Sequence, residues 1–437
     1  MGAMTHDDLL ARHRAVMPSW LSLYSDEPIE FAAGKGRHVT DAEGRSYLDF
    51  FGGILTNAIG YDVAEVSDAI RRQVGTGVLH SSTLYLIREQ VALAERIAEL
   101  SGIPDAKVFF TNSGTEANEA ALLLATQGRR SNQVLALRNS YHGRAFATVG
   151  VTGNRGWSAS SLSPLNVSYV HGGYRYRSPF RELSDEDYIR ACTDDLREII
   201  ETTTAGDVAC LIAEPIQGVG GFATPPDGLF AAFAEVLDEY GILLVSDEVQ
   251  TGWGRTGEHF WGYQAHDATP DALTFAKGLG NGLAIGGVVA RAELMDCLTA
   301  NSISTFGGNP LATAGARATL EYVLDHDLQA NAARQGARLH AGLGELRDTL
   351  GIVGDVRGKG LMLGIELVAP GTTDPLPAAA TAVLEATKTA GLLVGKGGLY
   401  GNVIRLAPPM TLTDGETEDG LAVLRSVLTD VNQEFTR

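Results

Sequence analysis

The chain has 437 residues, enough for two or three domains at roughly 150 residues each and for a core that needs no disulfide or metal. Hydrophobic residues make up 44% and charged residues 20%, an ordinary globular balance. With 34 Lys and Arg against 53 Asp and Glu, the formal charge is −19. That excludes a nucleic-acid surface, and any anionic ligand has to be held by local cations or backbone N–H groups.

The N-terminal stretch MGAMTHDDLL lacks the apolar core of a signal peptide, and Gly2-Ala3-Met4 reads as a cloning remnant. Residues 1–61 then mix short extended pieces and turns. In GRHVTDAEGRSYLDF, the signal Ala42-Glu43-Gly44 between two extended runs predicts a hairpin. From 62 to 325, helical and strand patterns alternate. EVSDAIRRQV and REQVALAERIAEL have helical spacing. KVFFTN, QVLALRN, VACLIAEP, GILLVSDE and ALTFAKG are short apolar runs of the kind buried in a parallel sheet. The alternation predicts an α/β domain whose mainly parallel sheet is flanked by helices. The polar, aromatic stretch 158–187 predicts a long loop, a feature that is often functional. From 326 to 437 come a helix, the extended run GIVGDVRGKGLMLGIELV, a Pro/Thr-rich patch, a helix, the strand NVIRLAPP and a last helix, a smaller α+β domain.

Cys192, Cys210 and Cys297 have no paired spacing and read as inert thiols of a reducing compartment, which places the chain in the cytoplasm. No apolar run reaches the roughly 18 residues of a membrane helix.

Three stretches carry chemistry. FFTNSGTEANEAALLLAT is a strand, a glycine turn and a helix start. Ser113 and Thr115 can cap the helix, and Gly114 lets the backbone turn closely. Alone, this is as much an ordinary cap as an anion site for a phosphate. TFAKGLGNGLAIGG places Lys277 after an apolar strand. Desolvation there would lower its pKa and make it a nucleophile for carbonyls, although a lone lysine is more often a snorkelling surface residue. The GLGNG run is not a dinucleotide fingerprint, because its glycines are misspaced. DEVQTGWGRTG ends the buried run GILLVS in Asp247 and Glu248 and continues in a glycine-rich loop. Together, a helix-terminus phosphate site, a strand-end carboxylate and a strand-end lysine are what pyridoxal 5'-phosphate requires: an anion hole, a partner for the protonated ring nitrogen and an amine for a Schiff base. No metal is called for.

The chain resembles the class III, pyridoxal-phosphate-dependent aminotransferases of fold type I over nearly its whole length. NSGTEAN, YHG, AEPIQG, DEVQTGWGRTG, FAKGLGNG, TFGGNP, VRGKGLMLGIEL and IRLAPP occur in the family's order. Within the family it most resembles the mitochondrial-type alanine–glyoxylate aminotransferases and their plant and bacterial relatives. The run LLVGKGGLYGNVIRLAPPMTLT and the stretch from DEVQTGWGRTG to FAKGLGNG carry that narrower likeness.

The resemblance implies a large cofactor-binding domain (62–325) and a small domain built from both termini (1–61 and 326–437). It implies that Gly114 and Thr115 hold the phosphate, that Tyr141 stacks on the ring and that His142 shapes the loop rather than doing chemistry. Asp247 pairs with the ring nitrogen, Val249 packs under the ring, Gln250 reaches the phenolic oxygen and Lys277 forms the Schiff base. Thr305 reaches the phosphate of the neighbouring subunit, which implies a homodimer with shared sites, alone or paired into a tetramer. Arg405 clamps the substrate carboxylate, and Glu214 pairs with Arg405 and masks it until a carboxylate arrives. One departure is visible: Gly60-Tyr61 stands where many members have Gly-His.

The implied reaction is ping-pong transfer of an amino group from alanine or a β- or ω-amino acid to a small keto acid, glyoxylate or pyruvate. Two rivals are a lyase that eliminates phosphate from an amino-alcohol phosphate and a non-catalytic binding protein on the same fold.

Overall fold

In Gln133–Leu137, Leu135 and Leu137 join one apolar cluster, while Val134 and Ala136 join another. A strand buried on both faces is what a parallel sheet between two helical layers needs. The computed structural model describes residues 6–436, so the reading of Gly2–Met4 lies outside the described residues. Seven strands pair in the order Ala106–Thr111, Gly286–Arg291, Ala272–Phe275, Leu243–Asp247, Cys210–Ala213, Gln133–Leu137, Asn166–Val170. All neighbours are parallel except around Gly286–Arg291, which runs antiparallel to both of its own.

Helices Asp185–Thr203 and Leu229–Tyr240 cover one face. The first buries Tyr188, Cys192, Leu196 and Ile200, an i, i+4 row, and the second buries Phe230, Phe233 and Leu237. Helix Gly114–Arg129 covers the other face through Ala117, Ala121, Leu122 and Ala125.

Two strands depart from the expectation. The stretch 158–187 is not all loop: it holds Asn166–Val170, a turn of 3₁₀ helix at Arg175–Arg177 and the start of the next helix at Asp185. Asn166–Val170 is an edge strand and only half-buried, so polar residues are tolerated there and hide its pattern. Gly286–Arg291 opens with two glycines, which read as part of the preceding glycine-rich loop.

Phe31–Lys35, His38–Asp41 and Ser46–Asp49 form an antiparallel set, with Ala42-Glu43-Gly44 joining the last two as a hairpin. Leu392–Leu393 adds a parallel strand to Ser46–Asp49. A third sheet has the order Val353–Lys359, Met362–Leu367, Val403–Leu406, Gly395–Gly397, all antiparallel. Helices Leu328–Thr349 and Pro377–Thr389 pack on it, and Asp414–Phe435 packs on those two helices, in one cluster that includes Leu339, Leu343, Val383, Leu424 and Leu428.

Cys192 and Cys210 are buried and Cys297 partly so; burial pushes the first two thiols up to about 12, which keeps them protonated. Among the described residues, no helix is long and apolar enough to cross a membrane.

Candidate active site

Four neighbouring strands of the large sheet deliver side chains to the same edge. Ala272–Phe275 is followed by Lys277, Leu243–Asp247 ends in Asp247, Cys210–Ala213 is followed by Glu214, and Gln133–Leu137 leads to Tyr141 and His142. The carboxyl ends of parallel strands are where open α/β sheets bind ligands. Beside them lies the N-terminus of helix Gly114–Arg129, and between these parts is a cavity of about 300 Å³ lined by all of these residues with Thr115, Val249 and Gln250.

Asp247 is held on both oxygens. Its Oδ2 accepts from Asn118 Nδ2 at 2.7 Å and lies 2.7 Å from His142 Nδ1; its Oδ1 accepts from the Val249 N–H at 3.1 Å. The Thr274 hydroxyl donates to Asn118 Oδ1 at 2.6 Å, which turns the amide's NH₂ toward Asp247 and the His142 carbonyl. His142 therefore does more than shape its loop: a carboxylate at that distance calls for a proton on Nδ1. Neither Asn118 nor Thr274 was singled out in the sequence. The signal for Asn118 was an amide set between Ala117 and Ala121 on an apolar helix face, where an unpartnered polar group is costly.

The second carboxylate of DEVQTGWGRTG has a different task. Glu248 is fully buried and accepts from the Gly262 and Tyr263 N–H groups at 2.8 and 2.7 Å and from the Ser246 and Thr251 hydroxyls. It ties the loop back on itself, so the loop leaves the strand on a fixed path.

Lys277 opens a short 3₁₀ turn with φ of 44°, in the left-handed region where a non-glycine side chain is strained. Burial lowers its pKa from 10.5 to about 8; Arg405 adds to the shift, and Asp247 and Glu214 oppose it. Burial also pushes the Glu214 carboxyl up to about 7, against the pull of His142 and of two backbone donors. Those donors are the Tyr141 N–H on Oε1 and the Gly218 N–H on Oε2, both at 2.8 Å.

The expected ion pair between Glu214 and Arg405 is not formed. Glu214 is satisfied by the two N–H groups. Arg405, in strand Val403–Leu406 and 3% exposed, donates from Nη1 to the Gly218 carbonyl and from Nη2 to the Lys396 carbonyl, both at 3.1 Å. Its guanidinium carbon lies 4.9 Å from the Phe51 ring centre and 5.6 Å from that of Phe222.

Ser113 caps the helix, its hydroxyl accepting from the Glu116 N–H at 3.2 Å. The N–H groups of Gly114 and Thr115 sit in the first turn, where no intrahelical acceptor exists, and the helix dipole adds positive charge. A Cβ on Gly114 would stand 2.8 Å from Val249 Cγ1, so only glycine lets the turn close over Val249. Thr305 is exposed on the loop before helix Pro310–Asp325 and does not line this cavity. Tyr61, the departure from Gly-His, donates its hydroxyl to Asp49 Oδ2 at 2.6 Å and accepts from Asn57.

The fold and site define a fold type I enzyme. A family model described as aminotransferase class-III matches residues 24–428, and the chain belongs to that family. It is 38% identical over 414 residues to "Alanine--glyoxylate aminotransferase 2 homolog 2, mitochondrial" of Arabidopsis thaliana, covering 94% of this chain and 84% of the relative. It is also 38% identical over 421 residues to an acetylornithine aminotransferase of Mycolicibacterium smegmatis, covering 96% of this chain and 98% of the relative. Among solved structures, an amine transaminase from an uncultivated Pseudomonas species, in a PLP-bound (internal aldimine) form, superposes with a TM-score of 0.89 at 32% identity over 95% of this chain and 98% of that one. An Arthrobacter phospholyase in complex with phosphoethanolamine superposes with a TM-score of 0.88 at 32% identity over 97% and 99%.

Class III aminotransferases use pyridoxal 5'-phosphate, and the residues here fit it. The helix terminus offers unpartnered donors for a phosphate, and Gly114 leaves a cradle that a Cβ would fill. Two buried polar atoms in the cavity wall, Gln250 Oε1 and His142 Nε2, have no protein partner.

Proposed function

We propose that this aminotransferase moves an amino group from alanine or a β- or ω-amino acid to a small keto acid, glyoxylate or pyruvate, in two half-reactions of a ping-pong cycle. The observation that carries the reading is the convergence of Lys277, Asp247 and Glu214 around one cavity of about 300 Å³, with the buried Arg405 near enough to Lys277 to add to the lowering of its pKa to about 8. The likeness to a relative named for alanine and glyoxylate supports the substrate pair.

Bound pyridoxal 5'-phosphate supplies an electron sink for the carbon that carries the amino group. In our reading the Gly114 and Thr115 N–H groups hold its phosphate, Asp247 its ring nitrogen, Tyr141 and Val249 its two faces, Gln250 its phenolic oxygen and Lys277 its aldehyde carbon. Asn118 and His142 keep Asp247 aimed. With the cofactor bound, Lys277 Nζ would be the group that takes up and returns the proton of the substrate carbon, a task suited to an amine titrating near working pH. Arg405 holds the substrate carboxylate, and its unpartnered Nε leaves one donor free for it. Trp157 meets the Tyr141 ring edge-on at 5.6 Å.

The test is a spectroscopic panel of single donors without acceptor. Alanine, β-alanine, 3-aminoisobutyrate, N-acetylornithine and phosphoethanolamine are each added to the yellow enzyme. Loss of the visible band with one keto acid released per site, for alanine or a β-amino acid, is the expected result. Preference for N-acetylornithine would move the substrate assignment, and phosphate release from phosphoethanolamine would make the enzyme a lyase.

We further infer a homodimer in the cytoplasm, alone or paired into a tetramer. Exposed Ile303 and Phe306 flank Thr305, and His80, next to exposed Leu79, packs on Phe306 at 4.6 Å; Leu84, Tyr85 and Leu86 farther along that segment are exposed too, Leu86 to 99%. A patch of this kind favours an interface. The same reading divides the chain into a large domain, 62–325, and a small one from 1–61 and 326–437. The pairing of Leu392–Leu393 with Ser46–Asp49 supports that division.

A further inference from the structure

Gly395-Lys396-Gly397, within the LLVGKGG run, is an edge strand of the sheet that carries Arg405. The edge leaves main-chain groups without a strand partner, and such groups need other partners. At Lys396 both are taken by one side chain: the Tyr24 hydroxyl donates to the Lys396 carbonyl at 2.7 Å and accepts from the Lys396 N–H. That same carbonyl accepts from Arg405 Nη2 at 3.1 Å. Tyr24 and Arg405 thus share one oxygen.

A second link runs through the rings. Tyr24 stacks on Phe51 with centroids 5.7 Å apart and planes 25° apart, and Phe51 in turn faces the Arg405 guanidinium at 4.9 Å. The two glycines make both contacts possible. A Cβ on Gly395 would stand 2.2 Å from Phe51 Cε2, and one on Gly397 would stand 2.7 Å from Arg405 Nε. Behind Phe51 lies an apolar cavity of about 350 Å³, lined by Leu23, Tyr24, Ile29, Leu393 and Val394 among others, so Phe51 has room to retreat if its outer support is lost.

We propose that Tyr24 is a positioning residue for the carboxylate clamp: it fixes Arg405 through the Lys396 carbonyl and through the Phe51 ring. The N-terminal segment thereby sets substrate affinity from outside the cavity. Tyr24 touches neither the cavity lining nor Arg405 itself, so it acts on the substrate only through those two intermediaries. The proposal rests on the reading of Arg405 as the clamp.

The experiment measures the KM for pyruvate, kcat at saturation, the inhibition constant of propionate as a bare carboxylate, and the melting temperature of the holoenzyme. The variants are Tyr24→Phe, Tyr24→Ala and Arg405→Ala. Tyr24→Phe keeps the stack and removes the shared hydrogen bond; carboxylate affinity should fall about fivefold, the order of one hydrogen bond, with kcat within about twofold of wild type. Tyr24→Ala removes both links and should weaken affinity further. Arg405→Ala should lose most of it. Unchanged pyruvate and propionate constants in both Tyr24 variants, with Arg405→Ala strongly weakened, would overturn the positioning role and leave the clamp standing. So would a lower melting temperature as the sole effect. Wild-type affinity in Arg405→Ala would overturn the clamp and this proposal with it.

Discussion

Burial moves Lys277 and Glu214 toward their neutral forms, and each shift can be read in solution. The Lys277 amine, near 8 rather than 10.5, is half neutral at mildly alkaline pH. Reductive methylation of the cofactor-free protein, followed by peptide mass spectrometry, should show Lys277 reacting with a midpoint near pH 8. A midpoint in the ordinary lysine range, about 10.4, would mean its charge is solvated. Glu214 has the opposite sign. A carboxyl whose folded-state pKa is raised binds its proton more tightly in the folded chain, so its stabilising contribution is complete below about 4.5 and is lost as pH rises through about 7. Cofactor-free wild type should therefore lose melting temperature relative to Glu214→Gln as pH rises across that window. Parallel profiles for the two proteins would show that the Glu214 charge is fully compensated by the Tyr141 and Gly218 N–H groups.

At the scale of elements, the start of helix Gly114–Arg129 has a tolerance of a few tenths of an ångström. Alanine at 114 places a methyl 2.8 Å from Val249, which also donates to Asp247. Overpacking of this kind costs about 1–3 kcal/mol. Gly114→Ala should weaken cofactor binding by about tenfold or more, measured by fluorescence titration of cofactor-free protein, because the phosphate end and the ring-nitrogen end move apart together. Near-wild-type affinity would show that Val249 can yield without disturbing Asp247. The meaning of this stretch was open in the sequence, where NSGTEAN reads as a cap or as an anion site. Its place beside Lys277 and Asp247 around one cavity supports the anion-site reading, since a cap alone has no need of either.

For the whole molecule, the position of Thr305 is the sharpest issue. It lies outside its own chain's cavity, among exposed apolar residues. If it serves the other subunit, a mixed dimer of Thr305→Ala and Lys277→Ala chains holds one site with both residues intact and one with both lost. Cofactor titration of affinity-tagged mixed dimers should then give one wild-type-strength site per dimer. No such site would place Thr305 in its own chain's active site or leave it without a part in binding.

Sequence by itself determined the alternation of strands and helices, the strand ends at Asp247 and Lys277 and the glycine turn at 114. These are local: an unbroken apolar run, a cap and a close turn are each legible within about ten residues. Asn118 was missed because it orients a carboxylate 129 residues away in the chain, and Thr274 because the amide it turns, that of Asn118, is 156 residues away. The strand Asn166–Val170 was missed because an edge position relaxes its pattern. The Glu214–Arg405 pair was expected from position and is absent because two backbone N–H groups and two carbonyls satisfy the ions separately. Only the tertiary structure decided these points, because the partners of a buried polar group are set by which strand ends and loops the fold brings within hydrogen-bond reach.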